Sequence, residues 1–182
     1  MYELIILSHL MRYNAHGYLI AKIINDMIGP YARVSNGRLY PLLSKLEGAG
    51  LIAVDTETAA EQQGDRQLRT YKITEAGRRR FHELMMDTTS NPGEYQKLFP
   101  LKAHVFEFLK PVERLRLIDH YINYCQAHVL HLMAEADDLV REVADHVPPW
   151  SPARLDAVLN VMQHMIDPVS YTHLTLPTIL RV

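Results

Sequence analysis

The 182-residue chain has a single cysteine, Cys125, so no internal disulfide can form and the fold must rest on burial and hydrogen bonding. No apolar run approaches the roughly 20 residues that span a bilayer. The opening Met-Tyr-Glu-Leu-Ile-Ile-Leu-Ser-His-Leu-Met-Arg lacks a basic n-region and a small-residue cleavage site, so it does not read as a signal peptide. A cytoplasmic location with no membrane contact is expected. Glycine is scarce, with eight residues, and none form a phosphate-cradling loop. There is also no nucleophile elbow and no paired acid on a turn, so no enzyme is expected. Histidine is plentiful, with ten residues, and His128 and His131 have the i, i+3 spacing of a chelating pair beside His120. No carboxylate or cysteine completes a ligand set, so neither a metal site nor a cofactor is expected.

What is present is an ordinary globular mixture, 48% hydrophobic and 22% charged, with a formal net charge of −2. The charge is unevenly placed. Residues 1–86 hold 11 Lys and Arg against 9 Asp and Glu, whereas residues 87–182 hold 8 against 12. A mildly basic front and an acidic rear suit a polyanion reader joined to something else.

The front half alternates helix signals with two strand signals. Tyr2 to Arg12 reads as a helix with Leu4, Leu7, Leu10 and Met11 on one face, and Asn14 to Gly17 breaks it. Tyr18 to Ile28 reads as a second helix, with Ile20, Ile23, Ile24 and Met27 inward and Lys22, Asn25 and Asp26 outward, stopped by Gly29-Pro30. Ser35 is placed to cap a third helix through its hydroxyl, and Gly48 and Gly50 end it. Within it Leu39, Leu42, Leu43 and Leu46 recur at helical spacing, yet Pro41 has no N–H to offer the Gly37 carbonyl. Leu51–Val54 is a short apolar strand. A polar stretch over 55–68 turns at Gly64-Asp65, and Arg69–Ile73 alternates as the returning strand. Thr74 then caps a helix from Glu75 to about Met86. Three helices, a hairpin and a further helix make a winged helix-turn-helix: mainly α, with three helices plus a two-stranded wing.

In such a unit the N-terminal half of the third helix enters the major groove while its apolar back rests on its neighbours. Ser35, Asn36, Arg38 and Tyr40 occupy that half, and Lys45 lies further along. Asn can read adenine, Arg can read guanine, and Ser or Tyr can hold phosphate. Arg66 and Arg69 flank the hairpin tip, where a flexible basic loop can reach the DNA backbone, although Glu57, Glu61 and Asp65 share that loop.

The rear half begins after a linker at 87–93 and is helical throughout. A helix is expected around Tyr95–Leu109, with a break at Lys110-Pro111. The next helix carries apolar or small residues at 115, 118, 122, 125, 129, 132, 136, 139 and 143, in alternating steps of three and four. That heptad seam is read as a dimerisation face, through Leu115, Ile118, Ile122, Cys125, Val129, Leu132 and Leu139. Val147 to Pro152 is a rigid corner before a following helix that bears Leu155, Val158, Met162 and Met165. Residues 168–182 resemble the in-frame translation of a sequencing adapter and are set aside, so the domains are expected at 1–86, 94–167 (an all-α dimerisation and effector domain, cut short) and the 168–182 tail.

His16 to Ile24, Val34 to Ile52 and Arg69 to Arg78 together resemble the winged-helix domain of PadR-family transcriptional regulators. The carrying features are Tyr40-Pro41-x-Leu43, Leu46-Glu47-x-x-Gly50-Leu51-Ile52 and Tyr71-x-x-Thr74-x-x-Gly77. The family's common Gly-Arg-Pro wing tip is here Gly64-Asp65-Arg66. From Glu94 onward the chain resembles the long helical domain of the phenolic-acid-responsive subgroup. The resemblance implies a homodimeric repressor of a double-stranded DNA operator, released by a small aromatic acid, with Tyr18 touching phosphate. It names no effector-binding residue. Two other readings stay open: a winged-helix adaptor for proteins without DNA affinity, and a metal-sensing regulator that uses the helix histidines.

Overall fold

The structure is a computed structural model, and it describes residues 1–29, 33–55, 69–145, 153 and 156–166, with Pro92 and 142–145 described in backbone only. The elements are α1 (Tyr2–Leu10), β1 (Ala15–His16), α2 (Gly17–Ile28), α3 (Asn36–Gly48), β2 (Ile52–Val54) and β3 (Thr70–Ile73). They continue as α4 (Glu75–Met86), α5 (Pro92–Ala103), a 3-10 turn (Phe106–Phe108), α6 (Pro111–Asp145) and α7 (156–166). The hairpin tip, the corner after α6 and the adapter-like tail lie outside the described residues.

The chain divides into two compact units, Met1–Leu109 and Lys110–Val182. In the first, α1 is central: Leu4, Ile5, Ile6, Leu7, Ser8 and Leu10 are all buried, so the helix is covered nearly all round rather than along one stripe. The Ser8 hydroxyl satisfies itself on the Ile5 carbonyl at 2.8 Å, which allows a polar residue in that core. Ile20 and Ile24 from α2, Leu39, Leu43 and Leu46 from α3, and Phe81 and Met85 from α4 complete the cluster.

The sheet has three strands rather than two, in the order β1-β3-β2 and antiparallel throughout. Ala15 pairs with Tyr71 and His16 with Thr70, so the stretch expected only to break the chain also adds a strand to the wing's base. Two residues are too few to show alternation, which is why no strand pattern marked them. Asp55 locks this base: its carboxylate takes the Asn14 amide at 2.9 Å and the Lys72 ammonium at 3.3 Å.

The Thr74 and Gly77 pair joins sheet to helix. Thr74 Oγ1 accepts from the Gly77 N–H at 3.0 Å and donates toward the Gly50 and Leu51 carbonyls at 2.6 and 3.0 Å. A Cβ at Gly77 would stand 2.0 Å from the Leu51 carbonyl oxygen, so only glycine lets α4 seat there.

The 87–93 stretch is drawn into the first unit rather than separating two. Asp87 caps the Thr89 N–H and hydroxyl at 2.8 and 2.6 Å, and Asn91 caps α5 by accepting from the Glu94 N–H at 3.0 Å. The helix expected to about Leu109 ends at Ala103, and the 3-10 turn packs back on the winged unit. Arg12 reaches Glu107 at 2.7 Å and lies over the Phe108 ring, and Phe108 meets Phe81 edge-on. Lys102 is fully buried beside the Tyr95 ring and donates to the Asp87 carbonyl at the end of α4. Burial lowers its pKa, and burial raises that of Tyr95 to about 12.

In the second unit α6 is a single 35-residue helix. Among the described residues no helix is long and apolar enough to cross a membrane.

Candidate nucleic-acid interface

Helix α3 sorts its side chains by chemistry. Leu39, Leu43 and Leu46 are buried, while Ser35, Asn36, Gly37, Arg38, Tyr40, Pro41, Ser44 and Lys45 are exposed. The helix runs unbroken through Pro41, which sits on the outer face. Ser35 holds the N-cap position with extended backbone, and its carbonyl accepts from Arg38 and Leu39 at 3.0 Å each. Its hydroxyl makes no capping bond, contrary to the expected role, so it is left facing outward. A Cβ at Gly37 would meet only Ser35 Oγ, at 3.9 Å, so nothing within the described residues requires glycine there.

Tyr40 is half exposed because one side of its ring rests on Gly17, where an added Cβ would lie 3.0 Å from Cε1. That contact fixes the start of α2 against α3. His16 caps α2, with Nδ1 accepting from the Leu19 N–H at 3.1 Å, and its ring stacks near Tyr18. Tyr18 is 73% exposed and therefore projects from the first turn of α2. Asn25 ties the turn between the two helices, since its Oδ1 accepts from the Val34 N–H at 2.7 Å. The result is an open depression of about 750 Å³ bounded by Tyr18, Lys22, Asn25, Asp26, Arg33 and Asn36. Of the residues expected to touch DNA it gathers Tyr18 and Asn36, with Arg38, Tyr40 and Lys45 on the same helix as Asn36.

Lys22 and Arg33 were not among the candidates. Lys22 stands four residues after Tyr18, so helical spacing already put both on one face. Arg33 lies two residues before the Ser35 cap, where a turn residue carries no periodic signal.

Of the two wing arginines, the described residues include Arg69 alone. Arg69 does not stand free, because its guanidinium pairs with Glu47 at 3.0 Å and lies over Tyr71. Burial raises the Tyr71 pKa, and Arg69 partly offsets that. Arg66 lies outside the described residues. Of the Arg78–Arg80 run, Arg80 is used internally, with Glu3 at 2.9 Å and Glu83 at 3.2 Å.

The heptad seam is sorted unevenly. Ile118, Cys125 and Leu132 are buried in the single chain, so a second copy is not needed to cover them. Ile122, Val129 and Leu139 are half-buried and Leu115 is exposed, as are Val112, Leu130, Met133 and Val140, which lie off the seam. Periodicity finds the inward face of a helix but not whether the cover comes from the same chain. Tyr121, Tyr124 and His128 stack in a ladder along α6. Among the described residues no group of three or more His, Cys, Asp or Glu is gathered to hold a metal ion.

A helix with an apolar back and an exposed Ser-Asn-Gly-Arg edge, set against a second helix and a three-stranded wing base, is a winged helix-turn-helix of the DNA-binding kind. Residues 6–83 match the model of the transcriptional regulator PadR-like family, so this span is a PadR-like domain. No curated protein matches the sequence. Similar solved structures include Bacillus subtilis PadR in complex with operator DNA, at 18% identity over 95% of this chain and 97% of that one, TM-score 0.44. The same protein in complex with p-coumaric acid is 18% identical over 96% and 98%, TM-score 0.41. The Vibrio cholerae virulence activator AphA is 20% identical over 98% and 99%, TM-score 0.39.

Proposed function

We propose that the chain is a repressor that binds its operator as a homodimer through α3 and leaves it when a small aromatic acid binds. The observation that carries the reading is the division of α3: leucines fill the core while Ser35, Asn36, Arg38, Tyr40 and Lys45 are all left exposed. Arg38 and Asn36 are the base readers, since each can make a paired hydrogen bond to one purine edge. Tyr18 and Ser35 contact phosphate. Arg69 reaches DNA only by exchanging Glu47 for a phosphate, so its contribution is smaller than that of a free arginine, and Arg66 is the wing's other contact.

A twofold dimer presents two α3 helices to half-sites about one helical turn apart. Leu115, Ile122, Val129 and Leu139 keep apolar surface for the second copy. Repression and release are tested together. A fluorescent duplex selected from a random pool by the chain is titrated with protein, then with p-coumaric acid, the acid named for the Bacillus subtilis protein. Tight binding weakened by the acid supports the reading, whereas unchanged binding at saturating acid removes the effector half of it.

A further inference from the structure

We infer that the depression between α2 and α3 is a clamp for one phosphate of the DNA backbone, held by Lys22 and Arg33. The inference rests on the DNA-binding reading and adds to it a site distinct from the base-reading edge of α3. Lys22 and Arg33 are both exposed, and among the described residues neither has an ion-pair partner, unlike Arg12, Arg69, Lys72, Arg80 and Arg141. They approach the depression from two elements, Lys22 from α2 and Arg33 from the turn before α3.

The other polar groups on its wall favour the same ligand. Tyr18 brings a hydroxyl, and Asn36, a base reader of α3, borders the site. Asn25 spends its oxygen on the Val34 N–H, which leaves its NH₂ as a donor. Asp26 is the one carboxylate on the wall, so the two cations outnumber it. Donors and cations converging on an open space call for an anion that only accepts hydrogen bonds, and a phosphodiester is such a group. Asn36 belongs both to this wall and to the exposed edge of α3, so a phosphate held here lies next to the bases α3 would read. The Asn25–Val34 bond holds Arg33 and Ser35 on either side of a fixed point, which sets the register of the helix on the duplex.

The test measures affinity against salt for two duplexes of equal length, one selected from a random pool by the wild-type chain and one unrelated. Each neutralised phosphate contributes about 0.9 to the slope of log K against log salt. The double variant Lys22→Gln/Arg33→Gln is expected to lower the slope by about that amount, and each single variant by about half of it. The double variant should also weaken binding to both duplexes by the same factor, about fivefold at 0.15 M salt. Arg33→Lys should restore the slope, and unchanged melting temperatures establish that the variants are folded. Unchanged slopes in folded variants overturn the clamp while leaving DNA binding intact. An effect confined to the selected duplex also overturns it, because that is base reading. If the wild-type chain binds neither duplex at low salt, the DNA-binding reading falls first and the clamp with it.

Discussion

Gly77→Ala is the glycine substitution for which the structure dictates the largest clash among the described residues. A methyl at Gly77 would lie 2.0 Å from the Leu51 carbonyl oxygen and 2.8 Å from Ile73 Cγ1. A carbon and a carbonyl oxygen rest at about 3.3 Å, so α4 must retreat from Leu51 by about 1.3 Å. The retreat strains the bonds that Thr74 makes with the same carbonyl, from its N–H at 3.1 Å and its hydroxyl at 3.0 Å. Each such bond contributes about 0.5–1.5 kcal/mol, and forced overpacking costs about 1–3 kcal/mol. Alanine regains about 1 kcal/mol of helix propensity. The net expectation is a loss of about 2–4 kcal/mol, read as a lower urea midpoint at constant m-value. Gly37→Ala is the internal control: its methyl would meet only Ser35 Oγ at 3.9 Å, so propensity alone acts and stability should rise by about 0.5–1 kcal/mol. If Gly77→Ala is as stable as wild type, or gains like Gly37→Ala, the packing of α4 on Leu51 is wrong.

Pro41→Ala supplies an N–H for the Gly37 carbonyl on the outer face of α3, so it should stabilise by up to about 3 kcal/mol while altering DNA affinity through the aim of Arg38. Melting curves and duplex titrations of the one variant check both. Lys102 is fully buried and its pKa is lowered by burial, so its charged form opposes folding below the folded-state pKa, and the chain gains stability as pH rises from there toward 10.5. Lys102→Met should therefore match or exceed wild type in urea at pH 7, with the gap closing by pH 10; a wider gap at high pH would contradict that sign. Burial also raises the Cys125 thiol, although the Tyr121 hydroxyl partly offsets this, so little thiolate forms at pH 8. Cys125 should react with a thiol reagent far more slowly in the folded chain than in urea.

Much of the winged unit was legible in the sequence because its signals are local. Periodic leucines, the Thr74 cap and the Gly48 and Gly50 stop depend on neighbours a few residues away. The start of α4 at Glu75 and its end at Met86 were readable for that reason. The polar edge of α3 was readable as well, since whatever is not leucine there has to face outward. What stayed hidden depends on contacts distant in sequence. β1 exists only through its partner β3, Arg69 is held by Glu47 22 residues away, and Lys102 is buried by contacts no pattern encodes. The stretch at 87–93 looked like a linker because Pro, Gly, Asn and Ser mark turns, and here Asn91 and Pro92 start a helix within the first compact unit. On α6, Ile118, Cys125 and Leu132 of the seam are buried and Leu115 is exposed, and periodicity carries no information on which chain covers an apolar face.

Base reading by α3 is tested most directly by selecting duplexes from a random pool with wild type and with Arg38→Ala. Arg38 is exposed and has no ion-pair partner among the described residues, so its removal should leave the melting temperature unchanged. The expected result is loss of one guanine preference in each half-site and about 1–3 kcal/mol weaker binding to the wild-type sequence. The same selected sequence bound with the same affinity by Arg38→Ala would contradict the account.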